Sequence, residues 1–162
     1  DLQKVKIIKI LDKFGQCYIS SEGSLPLKLQ KYAWSLHPSE IHEFMKDCKM
    51  IVGESATMAS EAACMGIPAI FISNTGRGYT TEQDQKYGLL KHFKVSQWES
   101  ILKTLKDWAA KDMYKECQKK RKIMLEDKIE TSKWIVDVIE KYPEKVIPEI
   151  DRYKIDSSNI IE

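Results

Sequence analysis

The stretch MIVGESATMASEAACMGIPAIFIS, residues 50–73, decides the fold class. It opens and closes on continuous apolar runs, MIVG at 50–53 and PAIFIS at 68–73. A sheet covered on both faces demands such runs, because neither set of alternating side chains meets water. Between them lie a loop of small and polar residues and an alanine-rich run that reads as a helix over 57–65. Gly66 and Pro68 stop that helix before the second strand begins. Strand, tight loop, helix and strand at this pace make a parallel βαβ unit.

Downstream, the loop NTGRGYT (74–80) leads to a short helix, a strand-like LLKHF (89–93) and a helix from about 96 to 110. A long helical stretch then runs through Tyr142, and Pro143 and Pro148 break an irregular tail over 143–162. Upstream, apolar positions at Val5, Ile8 and Leu11 predict a helix over 2–14, which Gly15 ends. QCYIS (16–20) reads as a short strand, SEGSLP (21–26) as a turn and YAWSLH (32–37) as a weaker strand. Pro38 and Ser39 open a helix through Cys48, proline suiting the first helical position and serine the cap. The expected fold is therefore α/β: a Rossmann-like, doubly wound, mostly parallel sheet with a long C-terminal helix. In it the 50–53 and 68–73 strands are adjacent and central.

Bulk properties narrow the function classes. The 162 residues suffice for one domain with a proper core, and a formal net charge of +2 argues neither for a polyanionic partner nor against one. Cys17, Cys48, Cys64 and Cys117 form no C-x-x-C pair and read as reduced, structural thiols of a cytoplasmic protein. No apolar run approaches the ~18 residues of a membrane span. The chain begins at Asp1 inside a helical pattern, as a piece cut from a longer protein would. His37, His42 and His92 are too scattered to suggest a metal site and read as structural or surface residues. The basic run KKRK (119–122) reads as a solvated helix face balanced by Glu116, Glu126 and Asp127.

The loop after the first strand is where the chemistry concentrates. In an open parallel sheet, ligands bind outside the carboxyl ends of the strands, which is where residues 53–57 fall. The first amides of the following helix, around Ala56, Thr57 and Met58, lack intrahelical partners, and the helix dipole favours an anion there. Ser55 and Thr57 can either cap that helix or donate to a phosphate oxygen. Glu61 sits at the edge of the helix face that packs on the sheet, and a carboxylate half-withdrawn from water needs donors. Two readings stay open: the vicinal hydroxyls of a ribose, or a lysine from a neighbouring helix. Arg77, in its glycine-flanked loop, is either a bidentate phosphate clamp or a plain exposed arginine.

The run CKMIVGESATMASEAACMGIPAIF resembles the donor-nucleotide motif in the C-terminal half of GT-B glycosyltransferases. It is similar to the lipid-linked GlcNAc transferase of cell-wall synthesis. Over most of the chain, ISSEG, GESATMASEAA, GIPAI, GYTTEQDQKYGLL and DKIETSKWIVDVIEKYP resemble the prokaryotic domain of unknown function 354 family, whose members are similar to GT-B proteins and to UDP-GlcNAc 2-epimerases.

That resemblance implies a nucleotide-binding half over 1–142. Glu61 would bind the ribose, and Ser55, Ala56 and Thr57 the diphosphate. The stretch His37 to Ile41 would meet the base, and Thr81, Glu82 and Gln83 would lie near the donor sugar. It further implies a nucleotide sugar, UDP-linked, as substrate rather than cofactor, with no metal. The N-terminal half, absent here, would bring the acceptor and the catalytic base, so that the fragment alone is inactive. The implied function is the nucleotide-sugar-binding half of a glycosyltransferase-like protein for surface polysaccharide. The alternatives are a 2-epimerase-like half or a non-catalytic GT-B-derived scaffold. Glu54 departs from the pattern, standing where many transferases have a small residue. It must point away from the phosphates, share a cation with them, or mark a ligand that is no diphosphate. The apolar stripe of Trp134, Ile135, Val138 and Ile139 would face the missing half, or drive self-association when uncovered.

Overall fold

Three short parallel strands carry the fold in the computed structural model, which describes residues 2–35, 37–142, 149–156 and 158. They are β1 (Ile51–Gly53), β2 (Ala69–Ile72) and β3 (Leu90–Phe93), hydrogen-bonded in the order β1-β2-β3. Ile51 pairs with Ala69, and Ala69 in turn with Leu90. Helix α3 (Ala56–Cys64) connects β1 to β2, and α4 (Gly78–Gln85) connects β2 to β3.

Strand β2 explains why its sequence is apolar throughout. All four residues are buried, and alternate side chains enter two different cores. Ala69 and Phe71 join Ala59, Ala62 and Ala63 of α3, with Met113, Cys117 and Met124. Ile70 and Ile72 join Ile101 and Leu105 of α5 (Trp98–Ala109), against which Ile7 and Leu11 of α1 (Leu2–Leu11) pack. Helices therefore cover both faces of the sheet. The alanines of α3 let its backbone lie close on the strands. Gly66 then ends the helix at φ +74°, with Ile67 N–H bonded to Ala62 C=O and Gly66 N–H to Ala63 C=O. That pairing is a Schellman stop, and it requires the left-handed conformation glycine adopts without penalty. The Gln118 amide lies 2.6 Å from where a β-carbon would stand on Gly66, so a side chain there would also have to displace the end of Gln118.

Several expectations need correction. The 50–53 and 68–73 strands are adjacent, but only β2 is central; β1 is an edge strand, and its residues are half-buried. The expected strands at 16–20 and 32–37 reduce to one parallel bridge between Ile19 and Ala33, apart from the sheet. A 3-10 turn, Leu27–Tyr32, precedes that bridge with Leu29 buried beneath it. The helix before β1 is a 3-10 turn, Pro38–Glu40, running into the short α2 (Ile41–Lys46). Its cap is His37, not Ser39: the His37 Nδ1 accepts from Ser39 N–H at 3.3 Å, and Glu40 accepts from His37 N–H at 2.9 Å.

The long C-terminal helix is two helices, α6 (Tyr114–Glu126) and α7 (Thr131–Glu140). The chain breaks where Asp127 and Lys128 turn their side chains to α4 and to Tyr87 beyond it. The tail is not wholly irregular either. A 3-10 turn, Ile150–Tyr153, docks on α7, and Lys154 bridges back to Ile129. Residues 143–148 lie outside the described residues. Ile135, Val136 and Ile139 of α7 are exposed, and none of its residues is fully buried. No helix among the described residues is long and apolar enough to cross a membrane.

Candidate functional site

The carboxyl ends of β1, β2 and β3 open onto three loops: 54–55, 73–77 and 94–97. At the first of these, Ser55 caps α3, its hydroxyl accepting from Met58 N–H at 3.3 Å. Its carbonyl takes Ala59 N–H at 3.1 Å. Of the four amides that open the helix, those of Ala56 and Thr57 are left for another acceptor. Thr57 and Glu54 are exposed, while Ala56 is half-buried against the core.

One turn along α3, Glu61 is half-buried and hydrogen-bonded, Oε2 lying 3.1 Å from His42 Nε2. The partner is thus a histidine of α2, where the sequence suggested a lysine. His42 follows directly on the expected base-contact stretch, His37 to Ile41, of which no side chain is bonded to Glu61 among the described residues. Ile41 packs on the core beside α3, and His37 stays exposed as the cap of the preceding turn.

The second loop is built differently. Thr80, fully buried, closes the start of α4: its hydroxyl donates to Arg77 C=O at 2.9 Å and accepts from Arg77 N–H at 3.2 Å. The Arg77 guanidinium is exposed and donates to Gly76 C=O at 3.1 Å. Thr81 is exposed as well. His92, on β3, stacks on Phe71 and bonds Ser73 C=O through Nε2 at 2.9 Å, joining the ends of β2 and β3.

Glu82 and Gln83 point into structure. Glu82 accepts from Lys128 Nζ at 2.7 Å, and that bond holds its carboxyl below the usual glutamate range. Alongside, Asp127 takes Lys86 Nζ at 2.8 Å and the Tyr87 hydroxyl at 2.9 Å. The Lys86 contact lowers the Asp127 carboxyl, and Asp127 in turn raises Lys86. Gln83 is buried, its amide nitrogen reaching Ser60 C=O and Cys64 Sγ of α3, while its Oε1 has no partner among the described residues.

Sequence reasoning missed His42 as a site residue, and the four-residue group of Glu82, Lys86, Asp127 and Lys128. His42 stands one position after Ile41, and its spacing from Glu61 gave no signal. The only trace of the ionic group was a cluster of opposite charges in two distant segments. All four cysteines are free, and desolvation raises each thiol above its ordinary value.

Two hollows lie away from these loops. One of about 330 Å³ sits beside α7, lined by Ser132, Val136, Asp137 and Tyr153. The other, about 190 Å³, lies at the amino ends of the strands beside Cys48, Lys49, Pro68 and Asp112. Comparison of the chain with protein-family models, with curated proteins and with solved structures found no match.

Proposed function

We propose that this chain is the nucleotide-sugar-binding half of a doubly wound, GT-B-type glycosyltransferase-like protein, serving surface-polysaccharide synthesis with a UDP-linked donor. One observation carries the reading. Glu61 stands one helical turn from the open amides of Ala56 and Thr57, beyond the carboxyl end of β1. A nucleoside diphosphate presents anionic oxygens and a vicinal diol at about that separation. The amides and helix dipole would take the phosphates, and the carboxylate would accept from the hydroxyls. The motif resemblance supplies the sugar and the polysaccharide role.

The engagement of Glu82 and Gln83 in structural bonds favours a second reading: a GT-B-derived scaffold that holds a nucleotide without acting on its sugar. A thermal-shift screen of nucleoside diphosphates and UDP-sugars against the 162-residue chain tests both. Stabilisation by UDP and further by a UDP-sugar is the expected result. Stabilisation by UDP alone would select the scaffold, and no response to any nucleotide would remove both.

A further inference from the structure

We propose that His42 is a positioning residue that fixes the Glu61 carboxylate for a ribose diol, an inference resting on the nucleotide reading above. The geometry is a single side-chain contact between two helices that feed one core. Met45 of α2 is buried in the same core cluster as Ala59 and Ala62 of α3, and Ile41 packs against it, which anchors the backbones bearing His42 and Glu61 to one body. Between the two helices, His42 Nε2 and Glu61 Oε2 stand 3.1 Å apart. A neutral imidazole facing a carboxylate must present Nε2–H, because two acceptors would repel. One lone pair of Oε2 is then used, and the rest of the carboxylate, Oε1 included, remains open to two hydroxyl donors.

The neighbouring charges leave this pair to itself. Glu43 and Lys46 of α2 are bonded to each other at 2.8 Å, and Glu40 is held by the His37 amide. Helix α3 carries no charged residue besides Glu61. The contact is also too wet to be explained by stability. The two side chains are 56% and 36% exposed, and pairs of that kind add little to folding. What the contact does is restrict a flexible side chain before a ligand arrives, which preserves affinity that ordering the chain would otherwise consume.

The test compares UDP with 2′-deoxy-UDP by calorimetry on wild type, His42→Ala and His42→Gln, with melting temperatures recorded for each. Wild type should prefer UDP about tenfold, the loss expected when one charge-assisted hydrogen bond is missing. His42→Ala should cut that preference several-fold at an unchanged melting temperature. His42→Gln, which can place a donor nitrogen where the ring Nε2 stood, should restore it. An undiminished preference in His42→Ala overturns the proposal, as does equal loss in both variants. If wild type binds no UDP, the nucleotide reading itself falls and takes the positioning role with it. A ligand-free measurement separates the two failures. Nitrogen chemical shifts of the His42 ring at neutral pH should show the Nε2–H tautomer, and the Nδ1–H tautomer would exclude the donor role whatever the nucleotide does.

Discussion

Helices α3 and α4 follow consecutive strands of one sheet, run side by side and begin at the same edge, yet their polar residues are used in opposite ways. In α4 four polar side chains are committed to the fold. Thr80 is buried against Arg77, Gln83 reaches across to α3, Glu82 is gripped by Lys128, and Asp84 accepts from His92 N–H. In α3 the fully buried residues are Ala59, Ala62 and Ala63, with Ala56 and Met58 packed beside them. Ser55 and Glu61 each make one side-chain contact that leaves acceptor capacity free. A helix seated largely on its alanines can keep polar side chains for something else. That contrast locates the candidate site on α3 and makes α4 its support.

Four measurements can break or sharpen this division. Glu61→Ala should weaken UDP binding tenfold or more, since each charge-assisted bond lost is worth roughly 1.5–3 kcal/mol. The same change should weaken 2′-deoxy-UDP much less. Calorimetry on both ligands checks it, and equal losses would mean that Glu61 acts through general charge. Thr80→Val should cost about 1–3 kcal/mol of stability in urea denaturation, because a buried hydroxyl with two backbone partners is removed. Its effect on UDP affinity should be negligible; a loss matching that of Glu61→Ala would abolish the distinction between the helices.

Ser55→Ala removes the α3 cap and should lower stability by about 1 kcal/mol in the same denaturation assay. The smallest effect belongs to Glu82. Its carboxyl is lowered by Lys128, so the folded state binds its proton less readily than the unfolded chain does. The bond's contribution is therefore full above the ordinary glutamate value and is lost as the pH falls through the lower folded one. Glu82→Gln should lower neutral-pH stability slightly, with the difference from wild type closing as the pH falls, so that the acid limb of the melting-temperature profile is shallower in the variant. A steeper limb would reverse the sign argued here.

What the sequence made legible follows from how local each feature is. The strand at 68–73 was readable because burial on two faces leaves a continuous apolar run in Ala69–Ile72, and those at 50–53 and 89–93 because short apolar runs there follow turn signals. QCYIS carries a similar local pattern, yet only Ile19 finds a partner, since pairing is decided by a neighbour many residues away. The α6–α7 break was invisible for the same reason. No glycine or proline marks 127–130, and the residues that divert the chain are Glu82, Lys86 and Tyr87, far upstream. At the candidate site, Ser55 was legible as a cap from position alone. His42 was not, because its pairing with Glu61 exists only once α2 and α3 have packed.

The seating of α1 on α5 carries a consequence for the order of assembly. The β1–α3–β2–α4–β3 unit is made of neighbours in sequence, each strand returning beside the last after one short helix. Helix α1 instead must find α5 across everything between Leu11 and Trp98, and contacts that close long loops form late. Its own seam is thin: among its described side chains only Ile8 is buried, with Ile7 and Leu11 at the rim of the second core. The amino-terminal helix is then the last piece to dock and the first to lift. Its amides should exchange with deuterium well ahead of those of β2, while the sheet beneath stays closed.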